Sequence, residues 1–177
     1  MDNFVEQLVA EHFKSKGYLV LSNYWFPIQS VRTRIQQKKE QVYKSQSWTD
    51  IDVLARNANE LLVIQVKAII NQENTSKKII DFYKNVNDFL KIGKSLDGSS
   101  DISWWSSNVN VKHLVVYENY SPPTYLDKLR NNGIDVIQFS EIFKELLEYL
   151  KEREGVKEQN ATMRFIHFLM KHKFISI

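Results

Sequence analysis

The sequence predicts an α/β protein with a central mixed β-sheet flanked by helices. Three observations carry this. The chain opens on a stretch with apolar residues at helical spacing. Its middle holds WTDIDVLARNANELLVIQVK, Trp48 to Lys67, which reads as two short strands joined by a tight polar turn. After it, helical and strand patterns alternate to the end of the chain. A length of 177 residues suits one domain with a sizeable core. That domain is expected to cover 1–177, with 156–177 as a C-terminal helical extension. No internal repeat or low-complexity linker divides it.

Asp2 to Lys16 is predicted as an amphipathic helix. Phe4, Val5, Leu8, Val9, His12 and Phe13 form its apolar stripe, and Gly17 stops it. Glu6 falls at the edge of the stripe. There it is either a solvated flank residue or a group leaning over whatever the helix covers. Tyr18 to Ile28 is rich in aromatic and β-branched residues and reads as a strand, with Pro27 marking an edge or an end. The next stretch carries Arg32, Arg34, Lys38, Lys39 and Lys44 against a single acid, Glu40. Val31, Thr33 and Ile35 alternate with the two arginines, a strand pattern, so the stretch fits either a hairpin projecting from the sheet or a solvated loop. Basic groups interleaved with amides and Tyr43 suit phosphates and sugars.

Within the central pair of strands, side chains alternate between faces. Val63, Gln65 and Lys67 share one face; Ile64 and Val66 share the other. Asn57-Ala58-Asn59-Glu60 supplies the turn. Asp50 and Asp52 lie on the first strand, so an acid stands near an amide and a lysine on its neighbour. Either acid fits that position. In the simplest reading Asp52 and Lys67 form a cross-strand ion pair and Gln65 fills a hydrogen bond.

Beyond Lys67, Thr75 or Ser76 is expected to cap a helix from Lys77 to Leu96, with Ile80, Tyr83, Val86 or Asn87, and Leu90 inward. DGSSDISWWSSN is a loop whose Trp104-Trp105 either covers a core or stacks on a base. Lys112 to Glu118 is a buried strand. Pro122 and Pro123 start a short helix that ends near Asn132-Gly133. Ile134 to Phe139 is the last strand, and Ser140 is expected to cap a helix to Arg153. Gly155 breaks the chain before a terminal helix, Asn160 to Lys173, with Phe165, Phe168 and Leu169 inward.

Composition narrows the function. There are no cysteines, which excludes disulfides and thiolate metal sites. The net charge of +3 hints weakly at an anionic partner. No stretch approaches the ~20 apolar residues of a membrane span, so no membrane partner is expected. The N-terminus lacks a basic segment followed by an apolar run, which predicts a cytoplasmic protein. No glycine-rich phosphate cradle and no Ser-His-Asp elbow is present, so no nucleotide cofactor is expected. His12, His113, His167 and His172 share no metal-ligand spacing, and His12 reads as a core histidine.

A helical Glu6, then Asp52, a short turn, and Gln65-Val66-Lys67 at a strand end resembles the PD-(D/E)xK nuclease superfamily. The nearest comparisons are the archaeal Holliday-junction resolvases and the Mrr-type nucleases. Asp52 and Gln65 are thirteen positions apart, a gap that suits the hairpin. The resemblance covers roughly residues 1 to 140. It implies a restriction-endonuclease-like fold and a magnesium-dependent endonuclease acting on DNA, including structured or branched DNA, with manganese as a substitute cation. It implies Glu6, Asp52, Gln65 and Lys67 as catalytic residues, the first three as metal ligands, and a homodimer. Arg32, Arg34, Lys38, Lys39 and Lys44 would contact the nucleic acid. The sequence departs from the usual pattern at Gln65, where Glu or Asp is common. Glutamine keeps a carbonyl oxygen but loses the charge, and magnesium favours carboxylates and waters. Some Mrr-like members resemble this form. A module on the same fold that binds nucleic acid or a protein partner without cutting therefore stays open, as does action on RNA.

Overall fold

The computed structural model describes residues 4–36, 39–92, 107–153 and 160–175; for 29–36, 39–46 and 92 it describes the backbone course. The elements are α1 (Phe4–Ser15), β1 (Leu19–Gln36), β2 (Lys39–Arg56), β3 (Glu60–Lys67), α2 (Glu73–Ile92), β4 (Asn110–Tyr117), α3 (Pro123–Arg130), β5 (Ile134–Gln138), α4 (Phe139–Glu152) and α5 (Ala161–Lys171). The five strands lie side by side in chain order. β1, β2 and β3 form an antiparallel meander, whereas β3, β4 and β5 are parallel. The sheet is therefore mixed and flanked by helices, the α/β architecture expected.

The chemistry of the connections explains this order. Antiparallel strands need only a tight turn, and Asn57 supplies it: its Oδ1 accepts the N–H groups of Asn59 and Glu60 at 2.8 and 2.9 Å. Parallel strands need a crossover, and α2 and α3 provide the two. Both crossover helices pack on one face, where Ile79, Tyr83, Val86, Phe89, Leu126 and Leu129 join Leu54, Val63 and Val115 in a core. The other face is covered by α1, α4 and α5, through Leu8, Val9, Leu146, Leu150, Met163 and Ile166 against Val53, Ile64, Val66 and Val116. The alternation read along β3 is the one observed, with Val63 in one core and Ile64 and Val66 in the other.

Gly17 closes α1 in the left-handed region, φ 84°, where a glycine carries no Cβ penalty. The basic stretch is a hairpin: β1 and β2 pair as far as Gln36↔Lys39. Three boundaries or faces differ from expectation. α2 begins at Glu73, because the Gln72 carbonyl already accepts the Thr75 and Ser76 N–H groups at 3.1 and 3.2 Å; Ser76 is a buried residue of the first turn. Residues 93–106, with the expected end of this helix and Trp104-Trp105, lie outside the described residues. α4 begins at Phe139 rather than after Ser140, since Glu141 Oε1 reaches back to accept the Gln138 N–H at 3.4 Å. α5 is capped by Asn160, the expected start of the terminal helix, but it turns Met163 and Ile166 inward. Phe165 and Phe168 are left 53% and 51% exposed. Docking sets this phase, through Met163 and Ile166 in the core and a hydrogen bond of 3.1 Å from Thr162 Oγ1 to Gln7 Oε1 on α1. Among the described residues no helix is long and apolar enough to cross a membrane.

Candidate active site

The site forms where the sheet splits. The β2–β3 ladder runs from Arg56↔Leu61 to Val53↔Ile64 and ends there. The next residues in that register are Asp52 and Gln65. On the other side of β2, pairing with β1 stops at Ser22↔Val53 and resumes at Tyr24↔Ile51. Asn23 is the residue passed over, and its φ is 54°. Asn23, Asp52 and Gln65 thus make a row across three strands in which the regular ladder is interrupted.

The interruption inverts the pleat. Tyr18 and Val20 pack on the α1 side, but Tyr24, Phe26 and Ile28, of the same parity, pack on the α2 side. β2 switches with them: Val53 and Ala55 belong to the α1 core and Ile51 to the α2 core. Asparagine is among the few residues with a side chain that tolerate left-handed backbone angles, which is why the switch is possible here.

Side chains bridge the two strands where backbone pairing ends. The Val66 N–H donates to Asp52 Oδ2 at 2.6 Å. Gln65 Nε2 donates to the Asp50 carbonyl at 3.0 Å. Lys67 Nζ donates to Gln65 Oε1 at 2.5 Å and stands 3.7 Å from Asp52 Oδ2. Asp52 and Gln65 are 7% and 6% exposed, while Lys67 is half-buried and borders the solvent. Burial pushes the Asp52 carboxyl above the usual aspartate range, with the Lys67 charge and the Val66 N–H acting in the opposite direction. Beneath this row lies Tyr83 of α2, whose hydroxyl donates to the Leu114 carbonyl at 2.5 Å and approaches the Val63 carbonyl at 3.3 Å. It ties β3 to β4 directly under the site.

The structure therefore brings Asp52, Gln65 and Lys67 together. It also separates the two acids the sequence left open. Asp52 touches Lys67, whereas Asp50 pairs across the ribbon with Trp25 and offers its carbonyl to Gln65. Glu6 is half-buried in the first turn of α1. Among the described residues no three His, Asp or Glu side chains gather into a metal-binding group. The donors at the fork are the Asp52 carboxylate and the Gln65 carbonyl oxygen. These are hard oxygen ligands of the kind magnesium and manganese take, in a number that leaves most of the coordination to water and phosphate. The backbone of Arg32, Arg34, Lys39 and Lys44 lies along the outer hairpin, with Arg32 opposite Tyr43 and Arg34 opposite Gln41. Their side chains, and Lys38 altogether, lie outside the described residues.

Two residues that shape the site were not singled out for that role. Tyr83 read only as one position of a helical stripe, and nothing in a single sequence tells which strand a buried tyrosine ties down. Asn23 carried a faint signal, an asparagine inside an otherwise apolar strand pattern.

No family model matches the chain, and no curated protein matches it. It is similar to two solved structures. One is protein VC1899 from Vibrio cholerae, at 14% identity and a TM-score of 0.45, covering 84% of this chain and 31% of that one. The other is protein of unknown function AF1548, at 16% identity and a TM-score of 0.47, covering 96% of this chain and 78% of that one. The chain thus spans about a third of the length of the Vibrio cholerae protein. Likeness at this level says nothing of chemistry, which rests on Asp52, Gln65 and Lys67 themselves.

Proposed function

We propose that the protein is a metal-dependent endonuclease that hydrolyses phosphodiester bonds in DNA, structured or branched DNA included. The observation that carries this reading is the cluster of Asp52, Gln65 and Lys67 at a fork whose outer strands continue into a basic hairpin. A buried acid, a buried amide and a lysine at a solvent border are an expensive arrangement for structure alone. In the PD-(D/E)xK nucleases, which the motif resembles, an acid and a lysine at the positions of Asp52 and Lys67 serve phosphodiester cleavage, with Glu or Asp usual where Gln65 stands.

Each residue has a role that follows from its position. Asp52 and Gln65 would hold the divalent cation, which when bound supplies a more acidic water and neutralises phosphate charge. The Val66 N–H and the Asp50 carbonyl fix the orientation of these two side chains. Lys67 sits at the solvent border, where its ammonium would stabilise charge developing on the phosphoryl oxygens. The basic hairpin, between Arg32 and Lys44, holds the flanking backbone.

A specific observation favours a second reading, a nucleic-acid-binding module without catalysis. Lys67 already engages the Gln65 oxygen that a cation would need. Supercoiled, linear, single-stranded and four-way-junction DNA, with an RNA control, separates the two. Each would be incubated with magnesium, manganese or EDTA. Metal-dependent cutting that falls at least about 100-fold in Lys67→Ala is the expected result. Binding without cutting under every metal, in the wild type and in Gln65→Glu, would rule out the endonuclease.

A further inference from the structure

Two tryptophans stand beside the fork, on the face of the hairpin turned away from its core. Trp25 on β1 is opposite Asp50 and Trp48 on β2 is opposite Pro27, so the indoles are diagonal neighbours across the strand pair. Such neighbours lie about 7–8 Å apart. Phe26 and Ile51, of the opposite parity, are buried against α2; Trp25 and Trp48 are 56% and 48% exposed. The pleat inversion at Asn23 and Asp52 produces this. Without it, Trp25 and Asp50 would fall on the α2 face and Phe26 on the other.

We infer that Trp25 and Trp48 form a stacking platform for the unpaired bases of single-stranded nucleic acid. The inference rests on the nucleic-acid part of the proposed function and not on cleavage. Three features support it. Indoles present flat apolar faces at little conformational cost, and base stacking on aromatic side chains does not depend on sequence. Trp48 is two residues from Asp50, whose carbonyl holds Gln65, so the platform borders the fork. Beyond the platform the same strands carry Arg32, Arg34, Lys39 and Lys44 against Glu40 alone, a charge balance that complements a phosphate backbone. A paired duplex hides its base faces, so the platform selects ends, flaps, gaps or opened junctions.

The test is binding in EDTA, by fluorescence anisotropy, of a labelled oligothymidylate and of a duplex of equal length. Trp25→Ala/Trp48→Ala is expected to weaken the oligothymidylate at least about tenfold and the duplex less than about threefold. Trp25→Phe/Trp48→Phe, which keeps rings for stacking, is expected to retain most of the affinity. If the alanine variant fails to fold, photocrosslinking of wild-type protein to the oligothymidylate replaces it; adducts on Trp25 or Trp48 support the platform and adducts elsewhere alone overturn it. Unchanged oligothymidylate affinity, equal loss for both ligands, or no binding of either by the wild type also overturns it. So does tryptophan-dependent binding to anionic phosphatidylserine vesicles in place of the oligonucleotide. Tryptophan-dependent binding with no cleavage under any metal would leave the platform standing and remove the endonuclease reading.

Discussion

At the scale of single residues, Asp52 carries opposed demands. Its carboxyl is raised above the ordinary aspartate range by burial. A carboxyl raised on folding stabilises the native state at low pH, and that contribution is lost as pH rises through the folded value. Near neutrality the ionised Asp52 is thus a cost. Asp52→Asn is expected to raise the urea midpoint at pH 7 while abolishing metal-dependent cleavage. The same shift would set the acid limb of the proposed cleavage. Cleavage that needs the ionised carboxylate should fall away at a pH above the usual aspartate value of about 3.9. Lys67→Ala, by removing the cation that opposes the shift, should move the Asp52 titration higher still, a change readable by carbon NMR of the carboxyl.

At the scale of elements, the pleat inversion at Asn23 decides what each strand shows to each face. A left-handed backbone costs an ordinary L-residue roughly 1–2 kcal/mol, and a β-branched one more. Asn23→Val is therefore expected to lower stability by at least about 1 kcal/mol, whereas Asn23→Gly should be close to neutral, as measured by urea denaturation. Here the limits of reading the sequence become physical. Gln65 and Lys67 were legible as a pair because β3 keeps strict alternation along its length. Asp50 and Asp52 were not separable, because strict alternation puts them on one face and the break lies between the strands, in a backbone angle. α5 offered two adjacent apolar stripes of similar quality, and only the contact with α1 chose Met163 and Ile166 over Phe165 and Phe168. The long hairpin was half legible: alternation gave the strands, but their joint length depends on cross-strand pairing that no single segment announces.

At the scale of the whole molecule, stability has its own pH lever on the face that carries α1 and α4. His12 is buried there, and its pKa falls to about 4. Burial is the main cause, Lys16 adds to it, and Glu145, 3.7 Å from Nε2, works against it. Glu145 also pairs with Lys16 at 2.6 Å, which holds its carboxyl below the usual glutamate range. A histidine lowered on folding stabilises above its unfolded value near 6.5. That stability is lost as pH falls toward about 4, amounting to up to about 3 kcal/mol. Urea titrations at pH 7.5 and 5 should show this loss, and His12→Leu should flatten it; the Glu145 contribution would fade only at lower pH. The opposite edge of β3 has a different consequence. Glu60 accepts Tyr18 Oη–H at 2.5 Å and Lys112 Nζ at 2.6 Å, pinning the residue that leads into β1 to β3 and β4 at that end. The sheet is thus clamped by side chains at one end, while at the other the β2–β3 backbone ladder ends and side chains alone bridge the two strands. Beyond Ile28↔Ser47 the hairpin continues for eight paired positions to Gln36↔Lys39, a cantilever of roughly 27 Å at ~3.3 Å per residue. Asn23 and Asp52 sit at its fulcrum. From Asn23 to Gln36 the arm is roughly 43 Å at ~3.3 Å per residue, so a rotation of ~10° there would sweep the tip through about 7–8 Å. The backbone angle of one asparagine therefore sets where the basic end of the molecule points.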